Sequence, residues 1–164
     1  MISDAMRLRF DREVMKYPAD QKASAVMACL AIVQQEQGWV SAQAEREVAD
    51  YLGMAPIAVH EVTTFYNMYN QRPVGRFKLN VCTNLPCQLR GGQHALMHLC
   101  ERLGVQPGGT TKDGQFTVQP SECLGACADA PVMLVNDRAM CSFMSNDKLD
   151  QLVDGLAQAK GVAA

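Results

Sequence analysis

Two short stretches decide how this chain is to be read: VCTNLPC at residues 81–87 and ECLGAC at residues 122–127. Cys82 and Cys87 are separated by four residues, Cys123 and Cys127 by three, and thirty-five residues lie between the pairs. Each pair stands at the end of an expected strand, where irregular backbone can wrap an inorganic core. Two pairs of thiolates suit a two-iron core, because each iron needs two terminal ligands beside its two bridging sulfides. The spacing differs from that of plant-type ferredoxins, so that fold is not implied. Four thiolates with an oxidised core carry about −2 charge. Gly125 gives the backbone freedom to fold close and aim N–H groups at sulfur. Cys87 is expected just ahead of a helix starting near Leu89, where the helix dipole favours a thiolate. Arg90 would assist and Glu122 oppose. With four cysteines and no histidine ligand, a low reduction potential is expected.

Working outward, Phe77, Leu79 and Val81 alternate with Lys78 and Asn80, the period of a half-buried strand. Leu89, Leu96, Leu99, Cys100 and Leu103 follow at helical spacing. Phe116 and Val118 mark a second strand. The apolar run 132–135, bounded by Pro131 and Asn136-Asp137, predicts a buried strand with a hairpin turn into residues 139–143. Ser145 or Asn146 caps a last helix that buries Leu149, Leu152, Val153 and Leu156. The expected order is β-α-β-β-β-α.

Before Pro73 the pattern is helical. Val26, Cys29, Leu30 and Val33 share one helix face, and Gly38 ends it. Ser41 caps a second helix with Ala44, Val48, Tyr51 and Leu52 inward and Gly53 as its stop. Pro56 suits the first turn of a third, expected to bury Val59, Val62, Phe65, Tyr66 and Tyr69. A short helix around Leu8, Val14 and Met15 precedes Pro18. The stretch from Phe65 to Tyr69, with Met68, serves equally as bundle core or as partner surface. The chain thus divides into a helical bundle, residues 1–72, and an α/β domain, residues 73–164, giving an α/β (α+β) fold.

The 164 residues are 48% apolar and 20% charged, the composition of a globular protein. Net charge is −2 with both halves mildly acidic or neutral, which argues against nucleic acid as a partner. The longest nearly uninterrupted apolar run, residues 23–33, is too short for a bilayer, and Asp4, Asp11 and Glu13 interrupt any signal-peptide core. A cytoplasmic location is expected, where disulfides are rare and seven cysteines point to metal or redox chemistry. A zinc site remains an alternative, although its usual CxxC knuckles are absent. A thiol–disulfide role also lacks its CxxC motif. Cys29 and Cys100 fall on apolar helix faces and Cys141 on a strand, and all three are read as core. His94 and His98 stand four apart on one helix without a third ligand and are read as solvent-facing. No nicotinamide, flavin or phosphate loop is visible.

At these residues the chain resembles the 24 kDa (E-type) subunit of the proton-pumping NADH:quinone oxidoreductase, respiratory complex I. The stretches that carry the resemblance are EVTTFY (61–66), QRPVGR (71–76), VCTNLPC (81–87) and ECLGAC (122–127) with Ala130-Pro131. The resemblance implies an N-terminal helical bundle and a thioredoxin-like domain holding one [2Fe–2S] cluster on Cys82, Cys87, Cys123 and Cys127. It implies an F-type partner that binds FMN and NADH, with one electron passing between FMN and the cluster, and further peripheral-arm subunits. Attachment to the cytoplasmic side of the inner membrane would run through those subunits, without direct insertion. Related subunits serve NAD-reducing hydrogenases and NAD-dependent formate dehydrogenases; a stand-alone thioredoxin-like ferredoxin is the other alternative. Pro131 is expected to follow a cis peptide.

Overall fold

The structure is a computed structural model in which residues 2–159 are described. The chain separates into two compact units, Met1–Pro73 and Val74–Ala164.

The first unit is helical: α1 Asp4–Val14, a 3-10 segment Ala19–Ala25, α2 Val26–Gln37, α3 Ala42–Leu52 and α4 Pro56–Phe65. Its boundaries follow local chemistry. Gly38 and Gly53 close α2 and α3 in the left-handed conformation that glycine adopts without penalty. The Ser41 hydroxyl accepts the Ala44 N–H, capping α3. Cys29, Leu30, Val33, Val48 and Val59 form the core with Phe10 and Tyr69, whose hydroxyl donates to the Met27 carbonyl at 2.9 Å. Four residues expected inside, Leu8, Met15, Phe65 and Tyr66, are exposed. In α1 the buried residues are Met6 and Phe10, while Leu8 and Met15 are exposed. Phe65, at the end of α4, is 80% exposed, and Tyr66 and Met68 are exposed as well. The backbone leaves the helix at Tyr66, and the turn carries Tyr69, not its neighbours, back into the core.

The second unit contains β1 Phe77–Cys82, α5 Leu85–Leu89, α6 Gly92–Leu103, β2 Gly109–Thr110, β3 Phe116–Ser121, β4 Met133–Val135, β5 Ala139–Cys141 and α7 Asn146–Gln158. The strands form one sheet in the order β2-β3-β1-β4-β5. β1 and β3 run parallel, joined by the α5–α6 crossover, and the other pairs are antiparallel. Leu79, Val81, Val118 and Met133 pack with Leu96, Leu99, Leu149 and Val153 into the core. Asn136 and Asp137 adopt φ of 52° and 56°, the turn that matches hairpin twist. Ser145 accepts the Lys148 N–H and caps α7. Three elements were not expected: α5, a helix of five residues, β2, a strand of two, and a 3-10 turn at Cys127–Asp129, all too short for a periodic signal. Among the described residues no helix is long and apolar enough to cross a membrane.

Candidate metal centre

Parallel pairing of β1 with β3 sets Cys82 opposite Ser121. Both strands therefore end at one edge of the sheet, and the chain enters each cysteine pair there. Cys82 is the last residue of β1; Thr83 then donates its N–H to the Ser121 carbonyl at 3.0 Å. Cys87 lies inside α5, not ahead of a helix as expected, and α6 begins only at Gly92. Pro86 occupies the first turn of α5, where its missing N–H costs nothing.

The two pairs differ in setting. Cys82 and Cys87 are buried with Ala130 and Val132, and Leu124 and Ala126 from the opposite loop pack on them. Cys123 and Cys127 are exposed. Their sulfurs lie 3.8 Å apart. Two thiolates about 2.3 Å from one tetrahedral metal are separated by about 3.8 Å, so this pair already has the spacing that one iron needs. The Gly125 N–H donates to Cys123 Sγ at 3.4 Å, and Gly125 holds φ +75°, the conformation expected of it. Among the described residues no three His, Cys, Asp or Glu side chains converge on a single ion; the thiols stand as two pairs.

The electrostatics tie the pairs together. Burial is the main cause that pushes the Cys87 thiol up; a backbone hydrogen bond with Val132 opposes it, and Cys82 and Cys127 add to the rise. Val132 also accepts the Cys82 N–H on its carbonyl at 3.1 Å, so one residue grips both buried cysteines. The Ala130–Pro131 peptide just before it is cis, as expected. Cys127 is raised first by its hydrogen bond with Cys123, then by burial and by the charges of Cys123 and Cys82. Cys87 and Cys127 so placed resist ionising, because each would meet the charge of neighbouring thiolates. A bound cationic core reverses that balance and deprotonates its ligands. The donor set thus fits a group that brings compensating positive charge.

The other cysteines sit apart. Cys29 is fully buried in the helical unit and its thiol is pushed up to about 12, chiefly by burial. Cys100 and Cys141 are raised by burial alone. Arg90 is exposed and lines a surface groove with His94, Pro131 and Phe143. Glu122 accepts a hydrogen bond from the Asn84 side-chain amide at 3.2 Å. His98 departs from its solvent-facing expectation: it is half-buried, and Nε2 lies 2.8 Å from Asp150 on α7.

The family model of the thioredoxin-like [2Fe-2S] ferredoxins matches residues 10–157. The chain belongs to that family. It is 40% identical to the NADH-quinone oxidoreductase E-type subunit of Rickettsia conorii over 156 residues, covering 93% of this chain and 92% of the relative. To NADH-quinone oxidoreductase subunit 2 of Thermus thermophilus it is 40% identical over 145 residues, covering 88% and 80%. Among solved structures, the NAD+-reducing [NiFe]-hydrogenase in its H2-reduced state superposes with a TM-score of 0.70 at 25% identity, covering 82% of this chain. This chain spans 22% of that hydrogenase chain. The mixed helix–sheet fold and the [2Fe–2S] character expected from the sequence are those of the family.

Proposed function

We propose that this chain is the electron-transfer subunit of an NADH dehydrogenase module, with one [2Fe–2S] cluster on Cys82, Cys87, Cys123 and Cys127. The observation that carries the proposal is that the loop bearing Cys123 and Cys127 packs through Leu124 and Ala126 on the buried Cys82 and Cys87, with the outer two sulfurs at single-iron spacing. The cluster supplies a one-electron couple when bound. The chain's own residues do the rest. Cys82 and Cys87, buried, would supply two thiolates shielded from water. Cys123 and Cys127, exposed, would supply the other two at the surface. The Gly125 N–H offsets charge on sulfur. No side chain here is needed as acid, base or nucleophile, so the chain is a non-catalytic subunit of an oxidoreductase.

The electron partner in this reading is a subunit that binds FMN and NADH and exchanges one electron with the cluster. Relatives named as subunits of NADH-quinone oxidoreductase support it. Residues 1–72 form the helical bundle and residues 73–164 the cluster domain. Exposed Phe65, Tyr66 and Met68 favour partner surface over bundle core for that stretch. The reading places the protein in the cytoplasm, at the membrane only through partner subunits. The hydrogenase likeness keeps a soluble NAD-reducing complex as the second reading, and the subunits that co-purify with the chain decide between them.

Anaerobic reconstitution tests the centre. Two irons and two sulfides per chain, with a reduced-state EPR signal, are expected. Cys82→Ala and Cys127→Ala should lose both; Cys100→Ala should keep both. A Cys127→Ala variant with normal iron content and spectrum would refute the ligand assignment.

A further inference from the structure

The outer thiol pair has no strand or α-helix to fix it. Cys127 opens a single 3-10 turn, Cys127–Asp129, on an exposed loop. Inside that turn the Asp129 N–H donates to the Ala126 carbonyl at 3.0 Å. Outward, Asp129 is held twice by the segment between β5 and α7. Its carbonyl accepts the Phe143 N–H at 2.8 Å, and its carboxylate accepts the Ser142 hydroxyl at 3.0 Å. Two residues on, the Pro131 carbonyl accepts the Met144 N–H at 3.0 Å.

The segment that does the holding is itself unusual. Phe143 has φ +54°, a left-handed conformation that a bulky residue rarely adopts. Its ring is half exposed, so core burial does not account for the strain. Such a conformation persists where surrounding contacts over-determine it, and it concentrates at functional sites. Here those contacts lead to Asp129, two residues from Cys127.

We propose that Asp129 is a positioning residue for the outer thiol pair: gripped by Ser142 and Phe143, it fixes the turn that carries Cys127 in the geometry the cluster needs. The inference rests on the four-cysteine assignment above. In it, the 142–144 segment acts on the outer thiol pair through hydrogen bonds to a ligand loop, without touching the sulfurs. Ser142 and the Asp129 carboxylate form the part that side-chain substitution can remove.

The test uses the full chain, reconstituted anaerobically, with excess EDTA as the iron probe. Asp129→Ala and Ser142→Ala should release iron roughly tenfold faster than wild type, the factor that one lost charge-assisted hydrogen bond produces. Both should also shift the g values of the reduced cluster, which a merely structural contribution to folding would leave in place. Asp129→Asn keeps an acceptor for the Ser142 hydroxyl and should stay within about twofold of wild type. Should Asp129→Ala fail to fold, Ser142→Ala carries the test. Wild-type release rates and g values in the folded variants would overturn the inference alone. A wild-type chain that assembles no cluster would overturn the four-cysteine assignment, and this inference with it.

Discussion

Gly92, in the first turn of α6, lies so close to Cys82 that a methyl group on it would come within 2.6 Å of the Cys82 carbonyl oxygen. The same methyl would lie 2.9 Å from the Cys87 carbonyl oxygen. Both obstacles are backbone, and both belong to the buried thiol pair. The absence of a side chain at position 92 is therefore what lets α6 pack against the two cysteines at once. Gly92→Ala has to push the loop or the helix aside. We expect it to cost about 1–3 kcal/mol, as overpacking does, and to lower the iron bound after reconstitution. Denaturant unfolding and iron analysis check it; an unchanged midpoint would show that the close approach is not required.

Gly155, midway along α7, gives the opposite case. Nothing lies within 4 Å of where its methyl would point, and its φ is not in the left-handed region. Gly155→Ala should stabilise the protein by about 0.5–1 kcal/mol, through helix propensity alone. A raised unfolding midpoint with unchanged iron content is the expected result.

Glu45 is buried in the helical unit and joins α3 to α4. Its carboxylate accepts the Thr63 hydroxyl and lies 3.0 Å from His60 Nδ1. Glu45→Ala would take the carboxylate from His60 Nδ1 and one of two acceptors from the buried Thr63 hydroxyl, which keeps the His60 carbonyl at 3.0 Å. A loss of about 1–3 kcal/mol is expected. Because these residues belong to the helical unit, the iron–sulfur spectrum of the folded variant should not change. An altered EPR signal would contradict that separation.

Cys29 makes stability fall in alkali. Its thiol is held near pH 12 in the folded chain, against an ordinary value of 9.0. Between those values the unfolded chain has lost the proton that the folded chain keeps. Stability therefore declines as pH rises from about 9 towards 12, by up to about 1.4 kcal/mol per pH unit for one thiol. Below pH 9 this contribution is fully present. Tyr51, raised from 10.0 to about 12, adds a smaller decline confined to the range from about pH 10 towards 12. Denaturant midpoints measured against pH should fall less steeply for Cys29→Ala than for wild type; equal slopes would show that Cys29 does not titrate as described.

Much of the fold was legible because it is written locally. Gly38 and Gly53 stop helices, Ser41 and Ser145 cap them, and Asn136-Asp137 turn a hairpin through backbone preferences that each carries alone. The faces of weakly patterned helices were not legible. In α1, Leu8 and Met15 compete with Met6 and Phe10 for the inner side, and only the packing against α2 chooses. At the end of α4, Phe65 and Tyr66 follow Val59 and Val62 at helical spacing, yet the helix ends there and leaves them outside. His98 gave no local sign of Asp150, fifty-two residues away on another helix.

By itself the sequence determined two close pairs of cysteines, with Gly125 to bend the second loop, because residue type and local spacing are properties of neighbouring residues. The tertiary structure decided what those pairs became. Parallel pairing of β1 with β3 ends both strands side by side, Gly92 lets α6 approach the backbone of Cys82 and Cys87, and the 142–144 segment hydrogen-bonds Asp129 and Pro131 after Cys127. The strand pairing joins residues far apart in the chain, and even the shorter contacts depend on how loop and helix pack in three dimensions. Their free energy appears only when the sheet forms, so local pattern does not announce them.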